Sequence, residues 1–380
     1  MSTTPPVPPE ARPRWLIAGG GTGGHVTPAL ALGQAARAAG EACLFIGTKR
    51  GLETRLVPEA GFELLALDAR PLVGRSARER AAALAALGAS TLRAARALRA
   101  FRPDFVLSVG GYAAVPVTLA ALLLRYPLAV LEANARPGAA NRLVARRARR
   151  VFVEFEAAGR ALTGRAADPR VRVTGLPLRR ELTAAFAGAA PPRAPAPPFR
   201  VFAFGGSQGA RQINDAVLAV LPRIDPARFE FVHQTGESDR ERVAAGYAAS
   251  GVRGTVVAFE RDMASRYRFA DLVVCRAGAM TLAELALAAR PALLVPLTHT
   301  GGGEQLENAR ERERAGAAEV LDPGRDTGEA LLEALEKLLA DPARLAAMGA
   351  AAGRLARPDA AERILAECRA LLAAPLEGRP

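Results

Sequence analysis

Two glycine-rich turns carry the residue types best suited to chemistry. The first reads Ala18-Gly19-Gly20-Gly21-Thr22-Gly23-Gly24-His25 and the second Phe204-Gly205-Gly206-Ser207-Gln208-Gly209-Ala210. Each follows a short apolar run, at 15–18 and 201–204, and each leads into helix-like sequence. A strand, a tight turn and a helix start can present backbone N–H groups to a phosphate or a developing oxyanion. His25 sits where the first helix would begin. A histidine there tends to stay neutral, which suits a general base; a capping or packing histidine is the competing reading. Ser207 and Gln208 add a hydroxyl and an amide suited to a diphosphate.

A third unit of the same kind runs from Cys275 through Gly278, Ala279, Met280 and Thr281 to Glu284, one to two turns into its helix. A carboxylate at that point can accept from both hydroxyls of a ribose whose phosphates sit at the helix N-terminus. An ordinary solvated glutamate is the alternative. Downstream, the polar loop 296–308 enters another helix, on which Glu304, Gln305 and Asn308 share a face by i, i+3 and i+4 spacing and suit sugar hydroxyls. Gly110-Gly111-Tyr112 closes a further strand, and Glu132, Asn134 and Asn141 are polar candidates in the loop 132–141. All belong to the carboxyl edge of a sheet, where open α/β folds bind ligands.

Elements able to hold these groups recur along the chain. Strands are predicted at 15–18, 42–46, 64–67, 105–109, 128–132, 150–153 and 172–174, with helices at 28–39, 77–100 and 139–148. The proline-rich segment 191–198 reads as stiff and extended. Strands resume at 201–204, 229–234, 255–259, 272–275, 292–295 and 319–321, and a last helix at 360–374 is expected to pack back on the first domain. Strands alternating with helices imply two α/β Rossmann-like domains with parallel sheets, facing a cleft. The domain plan is a disordered leader at 1–13, a first domain at 14–178, a linker at 179–198, a second domain at 199–357 and the returning helix at 358–380.

Totals narrow the function. No apolar run approaches a membrane span, and residues 1–13 lack the apolar core of a signal peptide. Three separated cysteines and three histidines without paired spacing argue against a disulfide framework and for metal-free chemistry. No acidic residue ends the second strand, so an NAD ribose contact is unsupported. The net charge is +13, nearly all from arginine, while aromatics are 5%, too few for a base-stacking nucleic-acid surface. Between Leu72 and Arg102 seven arginines face one acid, with Leu84, Leu87, Leu92 and Leu98 at roughly helical spacing. That pattern fits an amphipathic helix resting on anionic lipid, or an ordinary surface helix with its apolar face in the core.

Taken together, GGGTGGHVTPALALG, GGYAAVPV, GGSQGARQIN, CRAGAMTLAEL and the loop carrying Gln305 and Asn308 resemble the bacterial MurG family over residues 14–371. Its members are the inverting N-acetylglucosaminyltransferases of peptidoglycan synthesis that convert lipid I to lipid II. The resemblance implies the two-Rossmann glycosyltransferase B fold, UDP-GlcNAc as a substrate rather than a cofactor, no metal, and no nucleic-acid partner. It implies peripheral residence on the cytoplasmic face of the inner membrane, on an anionic surface, among other cell-wall synthesis proteins. By motif, His25 is similar to the base or acceptor-site residue, with Thr22, Gly23 and Gly24 around the lipid diphosphate and also at the donor. Tyr112, Glu132, Asn134 and Asn141 match acceptor positions, with Asn134 also touching the donor. Arg179, Ser207, Gln208, Met263, Gly278, Ala279, Met280, Thr281, Glu284, Gln305 and Asn308 match UDP-GlcNAc positions. The family's usual His-Glu-Gln-Asn reads Leu131-Glu132-Ala133-Asn134 here, and its Gly-Asn-Pro reads Gly175-Leu176-Pro177. A related transferase with another acceptor, and a catalytically silent UDP-sugar-binding protein, are the alternatives.

Overall fold

The structure is a computed structural model describing residues 12–68, 77–189, 192–206, 209–297, 303–322 and 324–373. These residues fall into two compact units, one within Met1–Arg180 and Asp359–Pro380, the other within Glu181–Pro358.

The first unit is built on β1 (Arg14–Gly19), β2 (Ala42–Thr48), β3 (Glu63–Leu67), β4 (Phe105–Gly110), β5 (Leu128–Glu132), β6 (Arg150–Val153) and β7 (Val171–Val173). The helices between them are α1 (Gly23–Ala38), α2 (Glu53–Glu59), α3 (Ala77–Phe101), α4 (Val115–Leu123), α5 (Ala139–Val144) and α6 (Glu156–Thr163). All pairings are parallel, in the order β3-β2-β1-β4-β5-β6-β7. Parallel strands covered on both faces must be apolar almost throughout, which is why β1 and β4, apart from Arg14 and Ser108, are apolar and buried along nearly their whole length. One layer gathers Leu16, Ala18, Leu44, Ile46, Val106 and Val130 against Ala94 and Leu98 of α3 and Val117 of α4.

The second unit repeats the plan with β8 (Phe199–Phe204), β9 (Phe229–Gln234), β10 (Arg253–Val257), β11 (Leu272–Cys275), β12 (Ala292–Leu294) and β13 (Ala318–Val320), ordered β10-β9-β8-β11-β12-β13. Its helices are α7 (Arg180–Phe186), α8 (Arg211–Val220), α9 (Arg240–Ser250), α10 (Met263–Phe269), α11 (Ala279–Leu287), α12 (Glu304–Arg314), α13 (Thr327–Leu339) and α14 (Pro342–Arg354). Alternation along β8 divides its side chains between two layers. Val201 and Ala203 join the core with Ile213 and Leu335, while Phe202 and Phe204 pack at steep angles to the Tyr267 ring. The last helix, α15 (Ala360–Ala373), belongs to the first unit.

Two sequence readings shift. Helix α1 starts at Gly23, inside the glycine run, instead of at Pro28, so His25 lies within its first turn. The stretch 179–198, read as a linker, contains a helix, α7, whose Ala185 carbonyl accepts from Arg268 at 2.6 Å while Phe186 lies under the same guanidinium. Arg193 then pairs with buried Asp271.

Candidate functional site

In both sheets the order turns at the first strand: β1 lies between β2 and β4, and β8 between β9 and β11. Both glycine turns leave the carboxyl ends of those strands, the place where doubly wound folds hold ligands.

In the first unit Thr22 is the N-cap residue of α1, with extended backbone angles, but its side chain does not cap the helix. Its Oγ1 lies 3.2 Å from Nδ1 of His25. When Nδ1 carries the proton and donates to Thr22, Nε2 keeps its lone pair for a substrate proton. Burial lowers the proton affinity of His25 below its ordinary value, while the charge of Glu53 opposes that loss. The ring is therefore a neutral imidazole at physiological pH, the form a general base requires.

Other predicted residues surround it. A Cβ placed on Gly110 would sit 3.1 Å from Asn141 Nδ2 and 3.4 Å from His25 Nε2, so these two side chains flank one glycine. The Tyr112 ring would lie 3.3 Å from a Cβ on Gly21, whose φ is +97°. Thr22, Gly24 and Tyr112 are exposed. Glu132 is buried and shapes the loop that follows it. One of its oxygens accepts from the Asn134 N–H at 2.9 Å, the other from Gly138 N–H at 3.0 Å and Asn141 Nδ2 at 2.9 Å. Burial outweighs these bonds and raises its proton affinity. Asn141 Oδ1 is buried without a hydrogen-bond partner. The structure thus brings His25, Thr22, Tyr112, Glu132, Asn134 and Asn141 together.

Sequence reasoning missed Glu53. This first residue of α2 is 1% exposed and reaches under the first glycine turn. It accepts from Gly21 N–H at 2.8 Å and from both the N–H and hydroxyl of Thr48 at 2.7 Å each. Burial acts to raise its proton affinity, and those hydrogen bonds more than reverse it, leaving a carboxylate. The expectation that the turn offers its N–H groups outward therefore fails at Gly21, whose donor points inward. A signal was present in Gly47-Thr48-Lys49-Arg50-Gly51-Leu52-Glu53, whose glycines make room for a buried acid.

In the second unit, Gly278 caps α11 with extended angles and no side-chain bond. The first helical bond runs from Leu282 N–H to the Gly278 carbonyl, so the N–H groups of Ala279, Met280 and Thr281 precede it. Glu284 projects from the second turn, and its Oε2 accepts from the buried Tyr267 hydroxyl at 2.8 Å. Tyr267, also missed from sequence, stands on α10, the helix that Met263 begins. Gln305 Oε1 accepts from Leu297 N–H at 3.1 Å. Asn308 is fully buried and donates to the Ala277 carbonyl at 3.2 Å, tying α12 to the turn before α11. Arg179 is exposed just before α7, and Ser207 and Gln208 lie outside the described residues. Among the described residues no group of three or more His, Cys, Asp or Glu side chains could hold a metal ion.

Comparison with known proteins agrees along nearly the whole chain. Residues 15–153 match the glycosyltransferase family 28 N-terminal domain, and residues 200–364 match its C-terminal domain. A UDP-N-acetylglucosamine--N-acetylmuramyl-(pentapeptide) pyrophosphoryl-undecaprenol N-acetylglucosamine transferase of Syntrophotalea carbinolica is 45% identical over 93% of this chain and 98% of its own. One of the same name from Anaeromyxobacter sp. (strain Fw109-5) is 42% identical over 94% and 93%. The crystal structure of Acinetobacter baumannii MurG superposes with a TM-score of 0.77 at 28% identity, covering 94% of this chain and 99% of the other. A UDP-GlcNAc 2-epimerase from Neisseria meningitidis shares the fold alone, with a TM-score of 0.65 at 14% identity. With its two Rossmann-like units of glycosyltransferase B type, this chain belongs to glycosyltransferase family 28 and, within it, to the MurG family of hexosyltransferases.

Proposed function

We infer that this chain transfers GlcNAc from UDP-GlcNAc to the 4-hydroxyl of MurNAc in undecaprenyl-diphosphoryl-MurNAc-pentapeptide, converting lipid I to lipid II with inversion at the anomeric carbon. The observation that carries this reading is 40–45% identity to transferases of that name over more than nine-tenths of the chain. His25 takes the proton as the acceptor oxygen bonds to C1 of GlcNAc, and UDP departs with the bonding electron pair. Tyr112, Asn134, Asn141 and the first turn of α1 bind the acceptor, and Glu132 acts through the loop it folds. In the second unit the N-terminus of α11 meets the diphosphate, Glu284 the ribose, and Gln305 with Asn308 the GlcNAc side. The first unit carries acceptor and membrane contacts and the second carries the donor. The chain works as a peripheral protein at the inner membrane's cytoplasmic face, seated through the exposed leucines and arginines of α3, beside other cell-wall synthesis proteins. The reaction runs without a metal ion.

Radiolabelled UDP-GlcNAc and a short-chain lipid I analogue test this on wild type and His25→Ala together. Wild type should yield the disaccharide product. His25→Ala should lose about 10²–10⁴-fold in kcat, the span of general acid–base catalysis, while keeping its affinity for UDP-GlcNAc. A folded wild type that binds donor but makes no product rules out this acceptor. Leu131 and Ala133, apolar and buried where the family pattern has His and Gln, favour the second reading, a different lipid or small-molecule acceptor.

A further inference from the structure

One buried acid organises three separate pieces of chain. An added Cβ would meet the Glu53 carboxyl at 2.2 Å from Gly20 and 2.0 Å from Gly51, and its Cγ at 2.5 Å from Gly47. Side chains at those glycines would expel it, so the end of β2, the turn before α2 and the turn after β1 are shaped around a single carboxylate. Glu53 fixes the first glycine turn through the Gly21 N–H, and the Gly51 N–H braces Thr48 Oγ1 at 3.1 Å. On its other side that turn touches the His25 neighbourhood: a Cβ on Gly111 would lie 2.7 Å from the Gly20 carbonyl and 3.5 Å from His25 Nδ1.

An ionised carboxylate directly beneath a turn meant for an anionic acceptor is unfavourable for phosphate binding as such. It is favourable for a cation formed at His25. Resting on the reading of His25 as the base for the acceptor hydroxyl, we propose that Glu53 is a positioning residue of the reaction: it holds the turn that carries His25 and stabilises the imidazolium formed as the proton arrives. On α2, which packs on α1, the other charged side chains Arg55 and Glu59 pair with each other and are exposed. Strands β1, β2 and β4 bring no ionisable side chain to it, since Arg14 lies at the far end of β1 and Cys43 near the start of β2. Tyr112, in the turn after β4, lies against Gly21, and Glu132 stands behind Asn141. On α15, which also packs on α1, Glu367 is bound to Arg150 and Arg172, and Arg369 to Glu41.

The test uses Glu53→Gln and Glu53→Asp in the full chain, with folding followed by thermal melting and UDP-GlcNAc affinity by calorimetry. The donor site stays intact, so Kd for UDP-GlcNAc should remain within about twofold in both variants while kcat with the lipid I analogue falls at least about tenfold, ~1.4 kcal/mol. NMR titration of His25 in the substrate-free protein separates charge from shape. In Glu53→Gln its protonation should move to lower pH, and the acid limb of kcat/KM should move with it. In Glu53→Asp, which keeps the charge but shortens the reach to Gly21, the titration should stay near that of wild type. A folded Glu53→Gln protein whose His25 titrates as in wild type overturns the proposal, whatever its turnover. Should that variant fail to fold, Glu53→Asp decides, and wild-type kcat there overturns it. Absence of turnover in wild type would reject the acceptor reading, while the substrate-free titration would still decide the role of Glu53.

Discussion

At the scale of single residues, each unit pairs a proposed substrate contact with a buried partner that orients it. Tyr267 does this for Glu284. Its ring packs at steep angles to Phe202 and Phe204, with centroids 6.2 and 6.4 Å away, so the hydroxyl has little freedom to leave the carboxylate. A hydrogen bond to a charged group contributes about 1.5–3 kcal/mol, and part of that is recovered when water or a rotamer change replaces it. Tyr267→Phe should therefore raise KM for UDP-GlcNAc about tenfold with kcat changed by less than about twofold. It should also reduce the preference for UDP-GlcNAc over its 2′-deoxyribose analogue. Steady-state kinetics with both donors check this, and an unaltered KM would show that Glu284 holds its geometry unaided. Asn214, polar and seven residues past Ser207, is a contrasting case. It is buried, bonded to His233, the Thr235 carbonyl and Asp239, and it braces the interior behind the second glycine turn. Burial drops the His233 proton affinity to about 4, so that ring stays neutral and structural.

At the scale of elements, the sequence made the strands and glycine turns legible for a simple reason. Parallel strands buried on two faces are apolar at every position, and glycine marks their ends. The start of α1 was hidden because five glycines among six positions argue against helix by propensity, whereas the turn needs them and the helix begins within them. Glu53 and Tyr267 were illegible as functional residues because their roles arise from pairing between elements. Glu53 meets Gly21 only because β2 lies beside β1 with Ala18 opposite Ile46, and Tyr267 meets Glu284 only once α10 and α11 lie on the same sheet. Helix α15 shows the same dependence on distant partners. Arg369 grips Glu41 through two nitrogens at 2.7 and 2.8 Å, and Trp15 Nε1 donates to that carboxylate at 2.8 Å. Arg369→Ala leaves Glu41, 5% exposed, with the indole as its remaining side-chain donor. Urea unfolding should report a loss of about 1–3 kcal/mol, the cost of stranding a buried charge softened by the partial exposure of Arg369. Stability equal to wild type would mean that apolar packing and the pairs of Glu367 with Arg150 and Arg172 seat α15 without Arg369.

At the scale of the whole molecule, charge and apolar exposure coincide on one helix. The chain carries +13, and α3 turns Ala83, Ser90, Ala94 and Leu98 inward while Leu84 and Leu92 remain 59% and 51% exposed beside Arg93, Arg96 and Arg99. The core face of the helix is carried by Ala83, Ser90, Ala94 and Leu98, and Leu84 and Leu92 are left outside, where the proposed lipid seat would use them. No helix of the described residues is long and apolar enough to cross a membrane. A surface seat combines two separable forces. Arginines near an anionic bilayer contribute about 1 kcal/mol each and are screened by salt, with a Debye length of about 8 Å at physiological ionic strength and 3 Å at 1 M. Leucine side chains entering the interface contribute roughly 1.5–3 kcal/mol each when fully buried and are insensitive to salt. Sedimentation with anionic vesicles should therefore fall steeply as salt rises and retain a residue of binding at 1 M. The double variant Leu84→Ser/Leu92→Ser should abolish that residue while keeping the salt-dependent part, because it leaves every arginine in place. Equal binding to neutral and anionic vesicles would remove charge from the account, and an unchanged high-salt residue in the double variant would remove α3.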